Sequence, residues 1–129
     1  GTAARCADIH RAFPSLTAVF DPANFIQCGQ DTMEAWRLLS EHVHYLHIKD
    51  CIAGGPIVPA GRGDGHLAEI IAAFGAQGGS VLTLEPHLSV FDGLSSLENG
   101  QTSEIESAYP TQRAAFDAAA KALRALLDA

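Results

Sequence analysis

The sequence predicts an α/β fold with about three parallel strands and flanking helices, and three observations support this prediction. Short apolar runs typical of strands alternate with helical patterns along the chain. The spacing of about 30 residues per unit is long enough for a helix to cross between two parallel strands. The chain has 129 residues, of which 47% are hydrophobic, so residues 1–129 are predicted to form a single domain.

Each element has its own local signal. Apolar runs predict strands over residues 16–20, 43–48 and 81–84. A first helix is predicted to end before Pro14, and a second to follow Asp31, which can cap it with Glu34 three residues later. An apolar stripe predicts a third helix over residues 67–74, and a fourth is predicted to start at Pro110.

Two segments are predicted to be loops. Residues 50–65 are rich in Gly and Pro, which favour turns, and we expect a flexible loop there. Residues 89–109 are polar and rich in Ser, Glu and Gly, so they are predicted to form a long loop or lid.

The composition excludes several classes of partner. With 8 basic and 15 acidic residues the formal net charge is -7, which repels nucleic acid. Cys6, Cys28 and Cys51 are far apart in sequence, so we expect reduced, mostly buried thiols. No apolar run approaches the roughly 20 residues that span a bilayer, and the chain does not open on a leader pattern. We therefore expect a soluble, cytoplasmic protein with no membrane partner.

Three polar side chains are predicted to meet at one end of the sheet. Asp21, His47 and Glu85 each lie at the C-terminal end of a predicted strand. Because side chains alternate faces along a strand, each shares its face with the residue two positions earlier. Those residues are Val19, Tyr45 and Thr83. In a closed parallel barrel this face points inward, and the three polar groups would surround the C-terminal mouth, where barrel enzymes hold their active sites.

Two carboxylates and an imidazole suit a divalent metal ion such as Mn²⁺, Mg²⁺, Co²⁺ or Zn²⁺. Each residue has an alternative interpretation on its own. Asp21 could cap the turn at Pro22, His47 could be a hydrogen-bonded core histidine, and Glu85 could pair with Lys49. The agreement of three separate strands in position and parity favours a shared metal site.

Four segments carry a resemblance to a known family. They are residues 21–25 (DPANF), 47–50 (HIKD), 58–65 (VPAGRGDG) and 84–87 (LEPH). In this order they resemble the successive motifs of the xylose isomerase-like TIM barrel superfamily, which includes sugar phosphate isomerases and epimerases, inosose dehydratase and endonuclease IV. The resemblance implies that the chain is the C-terminal part of a (β/α)8 barrel. Three strands cannot close such a barrel, so we expect a longer protein, or a homo-oligomer that completes the sheet.

The resemblance also implies roles for individual residues. Asp21, His47 and Glu85 match metal ligands, and Glu85 also matches a catalytic acid/base that moves a proton beside a substrate carbonyl. Asn24 stands where epimerase relatives often have histidine. The family's second acid and fourth ligand, a glutamate on an earlier strand, has no counterpart here. The function implied is a metal-dependent isomerase or epimerase that converts a sugar or sugar-derived acid through an enediolate.

Four residues are candidates for binding the carbohydrate substrate. They are Asn24, Lys49, Arg62 and His87. The alternatives are that Lys49 pairs with Asp50, that Arg62 is a solvated loop residue, and that His87 is a rim histidine with no role in binding. Gly61, Gly63 and Gly65 could expose N–H groups to a phosphate, although their spacing fits no phosphate-binding motif.

Other functions fit the same residues. A dehydratase or lyase, similar to inosose dehydratase, could use the same site. A phosphodiester nuclease is disfavoured by the acidic composition, and Asp64 is predicted to cap the third helix rather than bind a second metal with His66. A ligand-binding or assembly module, or a fragment without activity on its own, is the non-enzymatic alternative.

Overall fold

The computed structural model describes residues 2–88 and 109–129. It is a mixed α/β structure, which confirms the predicted class. The strands are β1 (Ala18–Phe20), β2 (Val43–Ile48), β3 (Asp50–Cys51), β4 (Ile57–Val58) and β5 (Leu82–Leu84). The helices are α1 (Ala3–Ala12), α2 (Pro22–Gln27), α3 (Thr32–Leu39), α4 (Leu67–Ala76) and α5 (Gln112–Leu127), with a 3-10 turn at Ser40–His42. The loop or lid predicted over residues 89–109 lies outside the described residues, except for Tyr109.

The main sheet is parallel, with β2 in the centre between β1 and β5. Val19 lies opposite Tyr45, and His47 lies opposite Thr83. The predicted parity is therefore observed in the pairing, because residues expected on one face are neighbours across the sheet. The strands form a small open sheet, and its place in a TIM barrel stays a prediction.

Helices cover one face of this sheet. Phe20, Leu46 and Ile48 are almost fully buried on that face and share a core with residues of α3 and α4. The ring of Trp36 packs edge-on against both Phe20 and Phe74, at centroid distances of 5.2 and 6.5 Å. These aromatic contacts fix α3 and α4 against the sheet.

The opposite face of the sheet is open in the described structure. Val19 is 42% exposed and Val81 is 51% exposed, although both are aliphatic and lie in or beside strands. Thr83 is also exposed on this side. This is the face predicted to point into a barrel, and it leads directly to the strand ends that carry the polar side chains.

The predicted third helix is confirmed as α4, and the predicted helix cap is confirmed for α3 but not for α4. The Asp31 carboxylate accepts a hydrogen bond from the Glu34 N–H at 2.6 Å, as the capping pattern predicts. Asp64 does not cap α4, so that prediction is wrong. Its carboxylate instead accepts from the Ala53 N–H at 2.8 Å, and His66 occupies the N-cap position in a left-handed conformation. The end of the loop packs against its start, where the Asp64 N–H donates to the Cys51 carbonyl, so Asp64 bonds the loop and not the helix.

The loop over residues 50–65 is more structured than predicted. It contains the short antiparallel pair of β3 and β4. The buried Asp50 carboxylate accepts hydrogen bonds from the N–H groups of Gly61, Gly63 and Gly65 at 2.9 to 3.0 Å, and also from Cys51. The alternative in which Asp50 pairs with Lys49 is therefore wrong. Asp50 acts as an anchor that closes the loop, because a buried carboxylate requires several donors.

A bilayer-spanning helix is absent from residues 2–88 and 109–129, since none of their helices combines enough length with enough apolar character.

Two glycine substitutions test how the loop is held. A Cβ at position 63 would press on the Asp50 carboxylate and the Cys51 carbonyl, whereas position 75 in α4 has open space around it. Gly63→Ala is expected to lower the free energy of unfolding by about 2 kcal/mol or more, because Asp50 would lose its donors. Gly75→Ala is expected to raise it by about 0.5–1 kcal/mol, because alanine favours the helix. Urea unfolding followed by Trp36 fluorescence measures both, and equal effects would contradict the anchor.

Candidate metal centre

The structure brings Asp21, His47 and Glu85 together at the C-terminal ends of the three parallel strands. His47 Nδ1 lies 2.5 Å from Glu85 Oε2 and 3.8 Å from Asp21 Oδ2. One ligand atom from each residue lies within 4.8 Å of the other two. His47 is on the central strand, and the carboxylates follow the two outer strands, so the parallel register places them on either side of the imidazole.

Asp21 has two roles because its two oxygens face different partners. Oδ1 accepts a hydrogen bond from the Asn24 N–H at 3.2 Å and so caps α2, which begins with Pro22. Oδ2 is buried and accepts no hydrogen bond; Lys49 Nζ lies 2.9 Å away but without hydrogen-bond geometry. The capping role and a ligand role predicted for Asp21 are thus compatible, since the oxygen that does not cap α2 lies beside both Lys49 and the other two side chains.

Lys49 lies beneath the site rather than at its rim. Its side chain is 6% exposed, and Nζ donates a hydrogen bond to Asn24 Oδ1 at 3.0 Å while lying against Asp21. The predicted alternatives that paired Lys49 with Glu85 or Asp50 are therefore replaced by an Asp21 ion pair. This ammonium group offsets the charge of a nearly buried carboxylate, which would otherwise be costly to desolvate.

Glu85 is held between two histidines. Oε1 lies 3.0 Å from His87 Nε2, while Oε2 faces His47. His87 has a φ of 43°, which is uncommon for a residue other than glycine. This backbone conformation turns the chain after Pro86, where His87 contacts Glu85. The structure thus places His87 against Glu85 and gives it a partner that the sequence did not suggest.

A cavity of about 500 Å³ opens beside the three side chains. It is lined by Cys6, Val19, Asp21, Asn24, Phe25, Gln27, Cys28, His47 and Glu85. Its volume lies in the usual range for small-molecule sites, about 300–1,000 Å³. Of the four predicted substrate-binding residues, Asn24 alone is on this lining. Gln27, Cys6 and Cys28 were missed, because they lie in α1 or at the end of α2, and no local sequence pattern predicts that these helices approach the site.

The thiols occupy different environments. Burial, with the nearby Asp50 charge, raises the pKa of Cys51 from 9.0 to about 11, and its Sγ donates to the Ala23 carbonyl. Cys28 is exposed and Cys6 is partly exposed, so the expectation of mostly buried thiols holds for Cys51 alone. All three cysteines are free, as the sequence predicts.

The glycine-rich loop does not contribute to the cavity. Arg62 is exposed and is not on the lining; its backbone N–H donates to the Pro59 carbonyl. The N–H groups of Gly61, Gly63 and Gly65 are bound to Asp50 and are not free for a phosphate. His66 lies 3.5 Å from Glu69, separate from the three converging side chains.

Comparison with family models, with curated proteins and with solved structures finds no match for this chain. The resemblance to xylose isomerase-like barrels therefore stays a prediction.

Proposed function

We propose that Asp21, His47 and Glu85 bind one divalent metal ion, and that the site isomerises or epimerises a sugar or a sugar-derived compound. The observation that carries this proposal is the convergence of two carboxylates and one imidazole on a cavity, with a buried Asp21 oxygen that accepts no hydrogen bond. This oxygen already lies 2.9 Å from the Lys49 ammonium group, and a carboxylate oxygen can face both an ammonium group and a metal ion.

The donor set fits such an ion. One nitrogen and two oxygen donors suit Mn²⁺, Co²⁺ or Zn²⁺, and Mg²⁺ if water completes its shell. Three protein ligands are typical of catalytic sites, which keep positions open for a substrate. The fourth ligand implied by the family resemblance is therefore not required for binding. His47 must present a lone pair to the ion, so any proton between His47 and Glu85 would leave on binding.

When bound, the metal would act as a Lewis acid toward the carbonyl and neighbouring hydroxyl of the substrate. Glu85 then provides the proton chemistry. Its Oε2 faces His47 and is the ligand oxygen, whereas Oε1 faces His87. In our proposal Oε1 removes a proton from the carbon beside the carbonyl, which leaves an enediolate. Return of that proton to the former carbonyl carbon, with transfer of the hydroxyl proton to the former carbonyl oxygen, completes the isomerisation.

His87 and Lys49 position these groups. His87 Nε2, 3.0 Å from Oε1, orients the carboxylate toward the substrate and can exchange a proton with it. Lys49 holds Asn24 and lies beside Asp21, so that Asp21 keeps one oxygen directed at the site. Neither residue needs to touch the substrate for this purpose. Their predicted role in direct substrate binding is thus replaced, in our proposal, by support of the acidic side chains.

Metal affinity tests the ligand set with a matched pair of histidine variants. His44 lies on the same strand as His47 but is exposed on the other side of the pleat. We expect His47→Gln to weaken Mn²⁺ or Co²⁺ binding at least about 100-fold and His44→Gln to leave it unchanged. Isothermal titration calorimetry measures both constants. Equal affinities in the two variants would contradict the proposed centre.

Solvent exchange tests the reaction. Metal-loaded protein incubated with ketohexoses and ketopentoses in D₂O should incorporate deuterium at the carbon beside the carbonyl, detected by NMR. Glu85→Gln should slow exchange by about 10²–10⁴-fold, because an amide cannot accept the proton. Glu69→Gln on the exposed face of α4 is the control and should exchange at the parental rate. Metal-loaded protein with no exchange on any ketose, or undiminished exchange in Glu85→Gln, would refute this function.

A further inference from the structure

Lys49 and Asp21 form an ion pair that is almost fully removed from water. Lys49 Nζ lies 2.9 Å from Asp21 Oδ2, and both side chains are 6% exposed. The pairs of Arg11 with Asp8 and of Arg113 with Asp117 are instead exposed on the surfaces of single helices. Charges interact more strongly when water does not screen them, so the Lys49 ammonium group acts on its surroundings far more than a surface cation does.

The ion pair uses the same carboxylate oxygen that we propose as a metal ligand. Asp21 Oδ1 is occupied by the cap of α2, where it accepts from the Asn24 N–H at 3.2 Å. Oδ2 lies 3.8 Å from His47 Nδ1 and also faces Lys49 Nζ. It accepts no hydrogen bond, so its contact with the ammonium group is electrostatic. An ion held by this oxygen would therefore share it with a positive charge that is already present.

The Lys49 ammonium group is held beside the site by a second partner. Nζ donates a hydrogen bond to Asn24 Oδ1 at 3.0 Å, and Asn24 lies in the first turn of α2. Lys49 directly follows β2, and its side chain is buried along with its charge. Moving the ammonium group into water would break this hydrogen bond and displace a buried side chain. The charge is therefore expected to stay near Asp21 when an ion binds.

The formal charges of these side chains show two opposite effects of the lysine. Without an ion, Lys49 compensates one of the two carboxylates, Asp21 and Glu85. A divalent ion would give this group a net positive charge, whereas the two carboxylates and the ion without Lys49 would be neutral. This reasoning takes the His47 imidazole as neutral, as a metal ligand must be. Lys49 thus opposes ion binding, yet it stabilises the metal-free protein, in which Asp21 would otherwise be a buried charge without a counter-charge.

We infer that Lys49 is the counter-ion of the metal-free site and competes electrostatically with the divalent ion for Asp21 Oδ2. This inference rests on the proposed function, and it names the residue that sets the metal affinity of the same site. In the metal-free protein the lysine keeps Asp21 folded into the site. When the ion binds, the repulsion between the ion and the ammonium group lowers the affinity. Lys49 therefore exchanges metal affinity for stability of the metal-free protein.

Neutral variants of Lys49 test the inference through metal affinity. Lys49→Met keeps an unbranched side chain, and Lys49→Gln keeps a hydrogen-bond donor for Asn24. We expect each to bind Mn²⁺ at least about ten-fold more tightly than the parent protein, measured by isothermal titration calorimetry. Lys121→Met removes the same charge from an exposed position on α5 and should leave the affinity unchanged. Unchanged or weaker binding in both Lys49 variants, or an equal gain in Lys121→Met, would overturn the inference.

Thermal unfolding with and without Mn²⁺ separates a counter-ion from a residue that only packs. Lys49→Gln should unfold at a lower temperature than the parent protein when no metal is present, because Asp21 loses its buried partner. Mn²⁺ should then raise the melting temperature of the variant by more than it raises that of the parent. An equal rise in both proteins would contradict the inference. If Mn²⁺ binds to neither the parent nor the two Lys49 variants, the proposed function fails instead, so the two failures are distinct.

Discussion

The candidate site depends on the parallel register of three neighbouring strands. Because β1, β2 and β5 run in the same direction, their C-terminal ends meet at one edge of the sheet. His47 is the next-to-last residue of the central strand, and Asp21 and Glu85 follow its two neighbours. A shift of any strand by one residue would turn its polar group to the helix-covered face, where burying an unpaired charge is costly. The core packing that fixes the register therefore also fixes the site.

Support for the site comes from residues that bind one another rather than from the sheet alone. Asp21 caps α2 with one oxygen and presents the other to the cavity, so the same helix start positions both a ligand candidate and Asn24. Lys49 ties these two residues together from below. On the far side, His87 holds Glu85. Asp21 thus has one oxygen on the cap of α2 and one beside Lys49 and His47, and Glu85 has one oxygen against each of His47 and His87. These contacts limit the movement of both carboxylates, which favours the metal site that we propose.

The sequence predicts features that repeat at a regular interval or that involve residues close together in the chain. The strands, the Asp31 cap and the shared face of Asp21, His47 and Glu85 follow from alternation and from spacings of three or four residues. Contacts between residues that are far apart in the sequence could not be predicted. No local pattern indicates that Asp50 would accept N–H groups from Gly61 to Gly65, since those donors lie 11 to 15 residues away.

The same limit applies to the surroundings of the site. The choice of Asp21 as the partner of Lys49, 28 residues away, depends on how α2 packs against the sheet. Sequence spacing alone offered Asp50 and Glu85 as partners of Lys49, and not Asp21. The exposure of one sheet face could likewise not be predicted, because Val19 and Val81 are aliphatic residues of the kind usually found on a buried face.

A zinc position determined by anomalous scattering tests the central claim most directly. Crystals grown with Zn²⁺ and measured at the zinc absorption edge should give one strong anomalous peak between Asp21, His47 and Glu85. The account predicts roughly 2.0–2.2 Å from that peak to one donor atom of each residue. Zinc bound only elsewhere, for example between His66 and Glu69, with no peak among the three side chains, would contradict it.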